Sequence, residues 1–483
     1  MWVTLAIIVV LVCLIWGLTG RPNGLPPGPT CFPIVGNVGI FKPSESVKAH
    51  RRLRKIHGDI YTIMIFHKPI IFVHGFYNIR DVLVKHGDVF SERPRSLATD
   101  IAEGNGVLWS SGSLWKEMRT FSLMTLRKFG FGRRCLENQI IDEVDCLMEK
   151  LEKYENEAFD IQSLLNASVA NVICSLLFGK RFDYDETRFQ RLIYLLSRFF
   201  RSISLSSPVF LFPSLRHIRI FNIDSVKENT NAMTAFFNEM IEEHRRNFDE
   251  NNINDFIDAY LLEQKQRGNE INTNFTDENL NQTLKDFFGA GTETTSTTLR
   301  WAFLFLFHNP HWQKRLQKEI DDVIGQGQPK MEHRDLLPFV DAFILETQRL
   351  SNISPLNAPH AGKEDTMFKG YLFPKGTTVL CLLDSVLMDP EFFPEPSMFK
   401  PERFLDESGS CHGQLKDKLV PFSLGPRVCL GEALAKMELF LFFTRFLQKF
   451  VIKPEDPECL PSLEGNLGVT NAPQDFRMRL VKR

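Results

Sequence analysis

The sequence predicts a mainly α-helical fold with small β-sheets, preceded by an N-terminal transmembrane anchor helix. Three observations predict it. A helical apolar pattern runs from Thr276 to His308, and a second long apolar run spans Ala433 to Ile452. Strand-like segments are short, as in Ile60–Phe66 and Pro69–His74. Trp2 to Leu18 is almost wholly apolar and carries no charged side chain.

Taken in order, the chain opens on that apolar run. At 1.5 Å per residue, about 18 residues approach the roughly 30 Å of a bilayer's hydrocarbon core. A cleaved signal peptide would want a basic leading region and a small-residue cleavage site, and neither is present. Arg21 follows the run, and positive charge on that flank favours the cytoplasmic side. Residues 1–20 therefore read as a signal-anchor. Residues 21–33 contain Leu25-Pro-Pro-Gly-Pro29 and read as a stiff proline-rich linker.

Residues 34–483 show no internal repeat or low-complexity break and read as one large domain, although length alone would allow more. At a net charge of −2 no global field argues for a nucleic-acid partner, and none is expected. Nine scattered cysteines, with no Cys-x-x-Cys pair, fit a reducing compartment and exclude a disulfide scaffold or zinc site. Cys411-His412 has no second pair to complete a metal site.

Ile60–Phe66 and Pro69–His74 are rich in β-branched and aromatic residues across a short turn, which predicts a hairpin. Phe90 to Gly112 is Gly- and Ser-rich and reads as a loop. Trp115-Lys-Glu-Met-Arg119 puts an indole and a guanidinium on one helix face, either as a surface cation–π pair or as paired ligand contacts. Arg127, Lys128, Arg133 and Arg134 form a basic cluster. Val169–Phe182 predicts a packed helix closed by a glycine cap at Gly179. Residues 190–250 read as charged-faced helices broken at Pro208–Pro213.

Thr276 is a predicted N-cap, with Asp277 and Glu278 in the first turn, and Asn309-Pro310 a stop. Polar and small residues, Ala290-Gly291-Thr292-Glu293-Thr294-Thr295, interrupt the middle of this helix, where burial makes them costly. They read as a packing kink or as a groove lined by a hydroxyl. Glu346-Thr-Gln-Arg349 places opposite charges one turn apart. Tyr371 to Leu383 reads as two strand-like runs paired across a hairpin-like Pro374-Lys-Gly376 turn.

The most informative stretch is Phe422-Ser-Leu-Gly425-Pro-Arg427-Val-Cys429-Leu-Gly431, just before the second long apolar run. A thiol at a helix N-terminus, with an arginine nearby, is expected to have a lowered pKa. A lone cysteine is more often a small buried hydrophobe. The spacing decides otherwise. With 43 Phe, 29 Gly and 9 Cys in 483 residues, Phe-x-x-Gly-x-x-x-Cys-x-Gly arises by chance with probability of roughly a few in a thousand.

This stretch resembles the haem-binding loop of the cytochromes P450, the haem-thiolate monooxygenases. Asn171-Val-Ile-Cys174, Phe178–Asp183 and Asn254-Asp-Phe-Ile-Asp258 resemble its microsomal drug-, steroid- and fatty-acid-oxidising group. The resemblance covers nearly the whole chain. It implies the cytochrome P450 fold, with residues 34–483 as the catalytic domain, and haem b with Cys429 as axial iron ligand. It implies Trp115, Arg119, His360 and Arg427 toward the haem propionates, Phe422 near the sulfur, and Gly431 completing the loop. Gly291 would open a groove beside the helix, and Thr294 and Glu293 would manage proton delivery. Glu346, Arg349 and Arg403, the last from Pro401-Glu-Arg403-Phe404, would form a structural triad.

The implied reaction inserts one atom of O2 into an apolar substrate, a fatty acid, steroid or xenobiotic. No Gly-x-Gly-x-x-Gly fingerprint or flavin domain is present, so electrons would come from a separate NADPH-dependent diflavin reductase, with cytochrome b5 as an optional further donor. The basic cluster, extended by Lys436, would dock the reductase. The resemblance places the protein on the endoplasmic reticulum membrane, facing the cytosol. A haem-thiolate peroxide isomerase or dehydratase needing no reductase, and a non-enzymatic haem-binding protein, stay open as alternatives.

Overall fold

Helices form where the sequence keeps a helical apolar period, and they end at its stop signals. The computed structural model describes residues 2–19, 21–32, 35–37, 42, 45–130, 134–203, 207–217, 223–268, 273–411 and 413–483. The longest helix is Asp277–His308, 32 residues, or about 48 Å of rise. Thr276 caps it by accepting the Asn279 N–H at 3.2 Å. It packs against helices Gln162–Phe178, Asp224–Arg246, Pro338–Ser351 and Glu432–Lys449, and most of its side chains are buried. Gln162–Phe178 is buried along nearly its whole length and closes at Gly179, with φ 64°.

A four-stranded sheet has the order Ile60–Ile65, Lys68–Val73, Thr378–Cys381, His360–Ala361. The predicted hairpin forms, with Ile60 opposite Val73. The predicted pairing within Tyr371–Leu383 does not. Tyr371–Phe373 pairs with Thr366–Phe368, whereas Thr378–Cys381 runs parallel to Lys68–Val73. The turn residues specify a bend but not a partner. Burial of Val379, Leu380 and Cys381 takes that strand to the larger sheet.

Two further boundaries differ. The helix predicted over Ala433–Ile452 begins at Glu432 and ends at Lys449, and Phe450–Pro454 pairs with Met478–Lys482 near the C-terminus. A long-range strand partner overrides the local apolar run there. The predicted loop after Phe90 contains a short helix, Leu97–Ile101, capped by Ser96.

The predicted triad is an internal strut. Glu346 accepts from Arg349 Nε at 2.7 Å and Nη2 at 2.8 Å, and from Arg403 Nε at 3.1 Å. The Glu346 and Arg349 side chains are wholly buried. Arg349 spends its remaining donors on the Leu387, Pro396 and Met398 carbonyls, so the buried charges are paired and hydrogen-bonded.

Trp2–Thr19 is an 18-residue helix, with Leu5 and Ile7 to Leu11 exposed. The side chains of residues 12–20 lie outside the described residues, as do Pro33 and Ile34 at the predicted linker boundary. Among the described residues, no helix is long and apolar enough to cross a membrane.

Candidate active site

The loop before the Glu432–Lys449 helix is shaped by close backbone contact. The Cys429 N–H donates to the Phe422 carbonyl at 3.0 Å. Gly425 has φ 78°, and a methyl group there would overlap the Leu83 carbonyl oxygen. Only glycine fits both demands. Gly431 is the N-cap of the following helix.

Cys429 is exposed, but to an internal cavity of about 420 Å³ that also reaches the Asp277–His308 helix. It is removed from bulk water, and that burial pushes its thiol above the ordinary value. The Gly431 N–H and Arg119 pull the other way but do not prevail. This corrects the expectation of a thiol lowered by the helix terminus and Arg427. Desolvation is the larger effect, and the cation that acts on the sulfur is Arg119.

Three arginines converge on the same cavity. Arg427 donates to the Ser91 carbonyl at 2.8 Å and the Ser110 carbonyl at 2.7 Å. Arg93 donates to the carbonyls of Leu108 at 3.0 Å and Pro359 at 2.7 Å. Arg119 donates to the Val428 carbonyl at 2.7 Å. None has a carboxylate within 4.0 Å among the described residues. Desolvation, then mutual repulsion, lowers Arg427 to about 8 and Arg93 to about 10. His360 donates from Nδ1 to the Phe90 carbonyl at 2.8 Å and is lowered to about 3, by burial first and then by Arg93 and Arg427. Trp115 stacks under a guanidinium at 3.8 Å, but it is that of Arg427 and not of Arg119. Its indole N–H is buried and has no partner.

The polar segment of the long helix splits between two environments. Thr294 lines the cavity, and its hydroxyl donates to the Ala290 carbonyl at 2.8 Å. Glu293 lies off the cavity wall. Thr297 Oγ1 donates to its Oε1 at 3.4 Å, and its Oε2 has no partner. Burial raises its carboxyl to about 7, and Arg300 opposes the rise. Gly291 lines the cavity, but a Cβ there would lie 2.5 Å from Ile173 Cδ1. The room it leaves is therefore occupied by a neighbouring helix.

The sequence pattern of the cytochrome P450 family matches residues 26–480. The chain belongs to the cytochrome P450 family. Cytochrome P450 2B4 of Oryctolagus cuniculus is 40% identical to it over 476 residues, 96% of each chain. Cytochrome P450 2C25 of Mesocricetus auratus is 40% identical over 461 residues, 93% of each chain. Cytochrome P450 2C8 of Homo sapiens is 38% identical over 488 residues, 98% of this chain and 99% of the relative. This P450 is a haem-thiolate monooxygenase that inserts one oxygen atom of O2 into an apolar organic substrate, with electrons from NADPH through a separate diflavin reductase.

The cavity residues fit a haem. Buried guanidinium groups without carboxylate partners, and an orphaned indole N–H, call for an anionic ligand, and haem carries two propionates. Iron binding to Cys429 would supply the deprotonation that the helix terminus does not. Arg93 and Glu438 are two of the cavity residues that the sequence does not single out. Arg93 sits in what reads only as a Gly- and Ser-rich loop, and nothing local marks it as buried. Glu438 lines the cavity fully buried, accepts from Thr295 at 3.1 Å and is raised well above the ordinary carboxyl range by burial. Its helical position inside an apolar run was the available signal. Of the predicted docking cluster, Arg127 and Lys128 are exposed. Arg133 and the side chain of Arg134 lie outside the described residues, and Lys436 is paired with Glu432 at 2.6 Å.

Proposed function

We propose that Cys429 is the axial ligand of the P450 haem iron, and that Arg93, Trp115, Arg119, His360 and Arg427 hold the propionates. One observation supports this above all. Three desolvated arginines with no acidic partner surround a cavity that also exposes the thiol. Phe422 and Gly431 border the sulfur on the loop, and both line the cavity. The haem supplies activation of O2 and transfer of one oxygen atom to the substrate.

The chain's own residues do the rest. The largely apolar wall takes an apolar substrate and excludes water. Thr294 holds its proton on Ala290, which leaves its oxygen free to accept from the cavity side. Glu293, poised near 7, gives and takes protons at neutral pH and recharges the relay from behind the helix.

In the same reading residues 1–20 anchor the chain, 21–33 link it, and 34–483 form the catalytic domain. The uncharged Trp2–Thr19 helix followed by Arg21 supports the anchor and a cytosolic face on the endoplasmic reticulum. Arg127 and Lys128 offer positive charge to an acidic reductase surface or to cytochrome b5.

The decisive experiment is the carbon monoxide spectrum of the reduced holoprotein. The red-shifted Soret band of thiolate ligation is expected, and Cys429→Ala abolishes it. An unchanged band in that variant would overturn the ligand assignment.

A further inference from the structure

Two chain reversals meet on the cavity wall, and the chemistry derived so far uses neither. The turn from Ser354 to Asn357 is closed by the Asn357 N–H, which donates to the Ser354 carbonyl at 3.1 Å. The turn from Val420 to Ser423 is closed in the same way, by the Ser423 N–H on the Val420 carbonyl at 3.1 Å. Each ends on a non-glycine residue in the left-handed region, Asn357 at φ 57° and Ser423 at φ 66°. Asparagine tolerates that conformation because its side chain bonds locally, whereas serine is strained by it. One hydrogen bond joins the two turns. Asn357 Nδ2 donates to Ser423 Oγ at 2.9 Å, while Asn357 Oδ1 accepts the Ala358 N–H at 2.8 Å. The second bond fixes which end of the amide faces Ser423. Asn357 is buried, so breaking the first would leave a desolvated donor.

The bond connects two parts of the site. Beyond Asn357 lie Pro359, whose carbonyl accepts from Arg93, and His360, bonded to the Phe90 carbonyl. Immediately before Ser423 lies Phe422, whose carbonyl accepts the Cys429 N–H at 3.0 Å. A strained residue beside such a contact persists only where its surroundings hold it. We propose that Asn357 is a positioning residue for the monooxygenase reaction: by gripping Ser423 it holds the turn that presents the Phe422 carbonyl to Cys429, and it ties the thiol loop to the wall of Arg93 and His360. The proposal rests on Cys429 being the axial ligand. With the loop held, the Gly431 N–H stays on the sulfur. A donor there stabilises negative charge on the ligand and so favours ferrous over ferric iron.

Asn357→Gly tests this in the holoprotein, because glycine keeps the left-handed backbone and removes only the amide. Two quantities are read: the rate of haem transfer to excess apomyoglobin, and the ferric–ferrous potential by dye-coupled titration. Transfer should quicken about fivefold, the worth of one hydrogen bond, and the potential should fall as the sulfur loses its donor. Ser423→Gly relaxes the strained turn by itself, so adding Asn357→Gly to it should change neither quantity further. Wild-type behaviour in Asn357→Gly, or faster transfer at an unchanged potential, would overturn the proposal. So would an equal loss in the Ser423→Gly background, since Asn357 would then act elsewhere. Should Asn357→Gly alone yield no holoprotein, recovery in the double variant supports the proposal and continued loss overturns it. The carbon monoxide band of the wild type reports the axial ligand separately. A thiolate band with an inert Asn357→Gly sinks the role of Asn357 alone.

Discussion

Glu293 ties stability to pH in a way that one isosteric substitution exposes. Its carboxyl is buried, half-partnered and raised from 4.5 to about 7, chiefly by desolvation. Unfolding returns it to the ordinary value. Between those values the folded chain holds more protons than the unfolded one, so raising the pH through the window destabilises the fold. Below 4.5 the group is neutral in both states and contributes no difference. Above 7 the full effect is present, about 3 kcal/mol, a large part of a typical total of about 5–15 kcal/mol. Glu293→Gln keeps the shape and the acceptor for Thr297 but cannot ionise. Urea unfolding of the two holoproteins at a series of pH values isolates the group, because Asp286 and the other carboxyls titrate equally in both. From about pH 5.5 to about pH 8 the variant should gain about 2 kcal/mol on the wild type. Parallel stability curves would refute the reasoning, and with it the claim that Glu293 is poised to carry protons at neutral pH.

The remaining expectations concern the loop, the relay, the strut and the anchor. Gly425→Ala combines a left-handed φ, about 1 kcal/mol for a non-glycine residue, with overlap of the Leu83 carbonyl, so the purified protein should retain less haem. Thr294→Ala should leave haem content and the resting spectrum intact while NADPH use rises several-fold relative to product, the difference appearing as hydrogen peroxide. Glu346→Ala strands two buried arginines and should remove about 3–5 kcal/mol, read as loss of folded holoprotein. Deleting residues 2–20 should weaken partitioning into membranes and preserve haem binding, whereas loss of haem would place part of that segment in the core.

Much of this site is legible along the chain because its signals are local. The cap at Thr276, the stop at Asn309-Pro310 and the αL glycine at Gly179 obey rules that act within one helical turn. The Cys429 loop is legible for a similar reason, since its spacing is compact and improbable. Burial is not local. The sequence places an arginine two residues before Cys429, but only the fold shows that Arg119 is the cation felt by the sulfur and that Arg427 stacks on Trp115. Arg93 reads as an ordinary loop residue until the Phe90–Gly112 segment closes over it. The sign of the Cys429 shift was decided the same way, because a helix terminus and a nearby charge are visible in sequence while the larger desolvation is a property of everything packed around the thiol. Strand partners divide likewise. Ile60–Ile65 and Lys68–Val73 pair across their own short turn, whereas Thr378–Cys381 and Phe450–Pro454 find distant neighbours. The sequence by itself determined which chemical groups were present and which turns and caps they could build. The tertiary structure decided which groups lose water together, and that loss sets the charge, the pKa and the empty valences of the site.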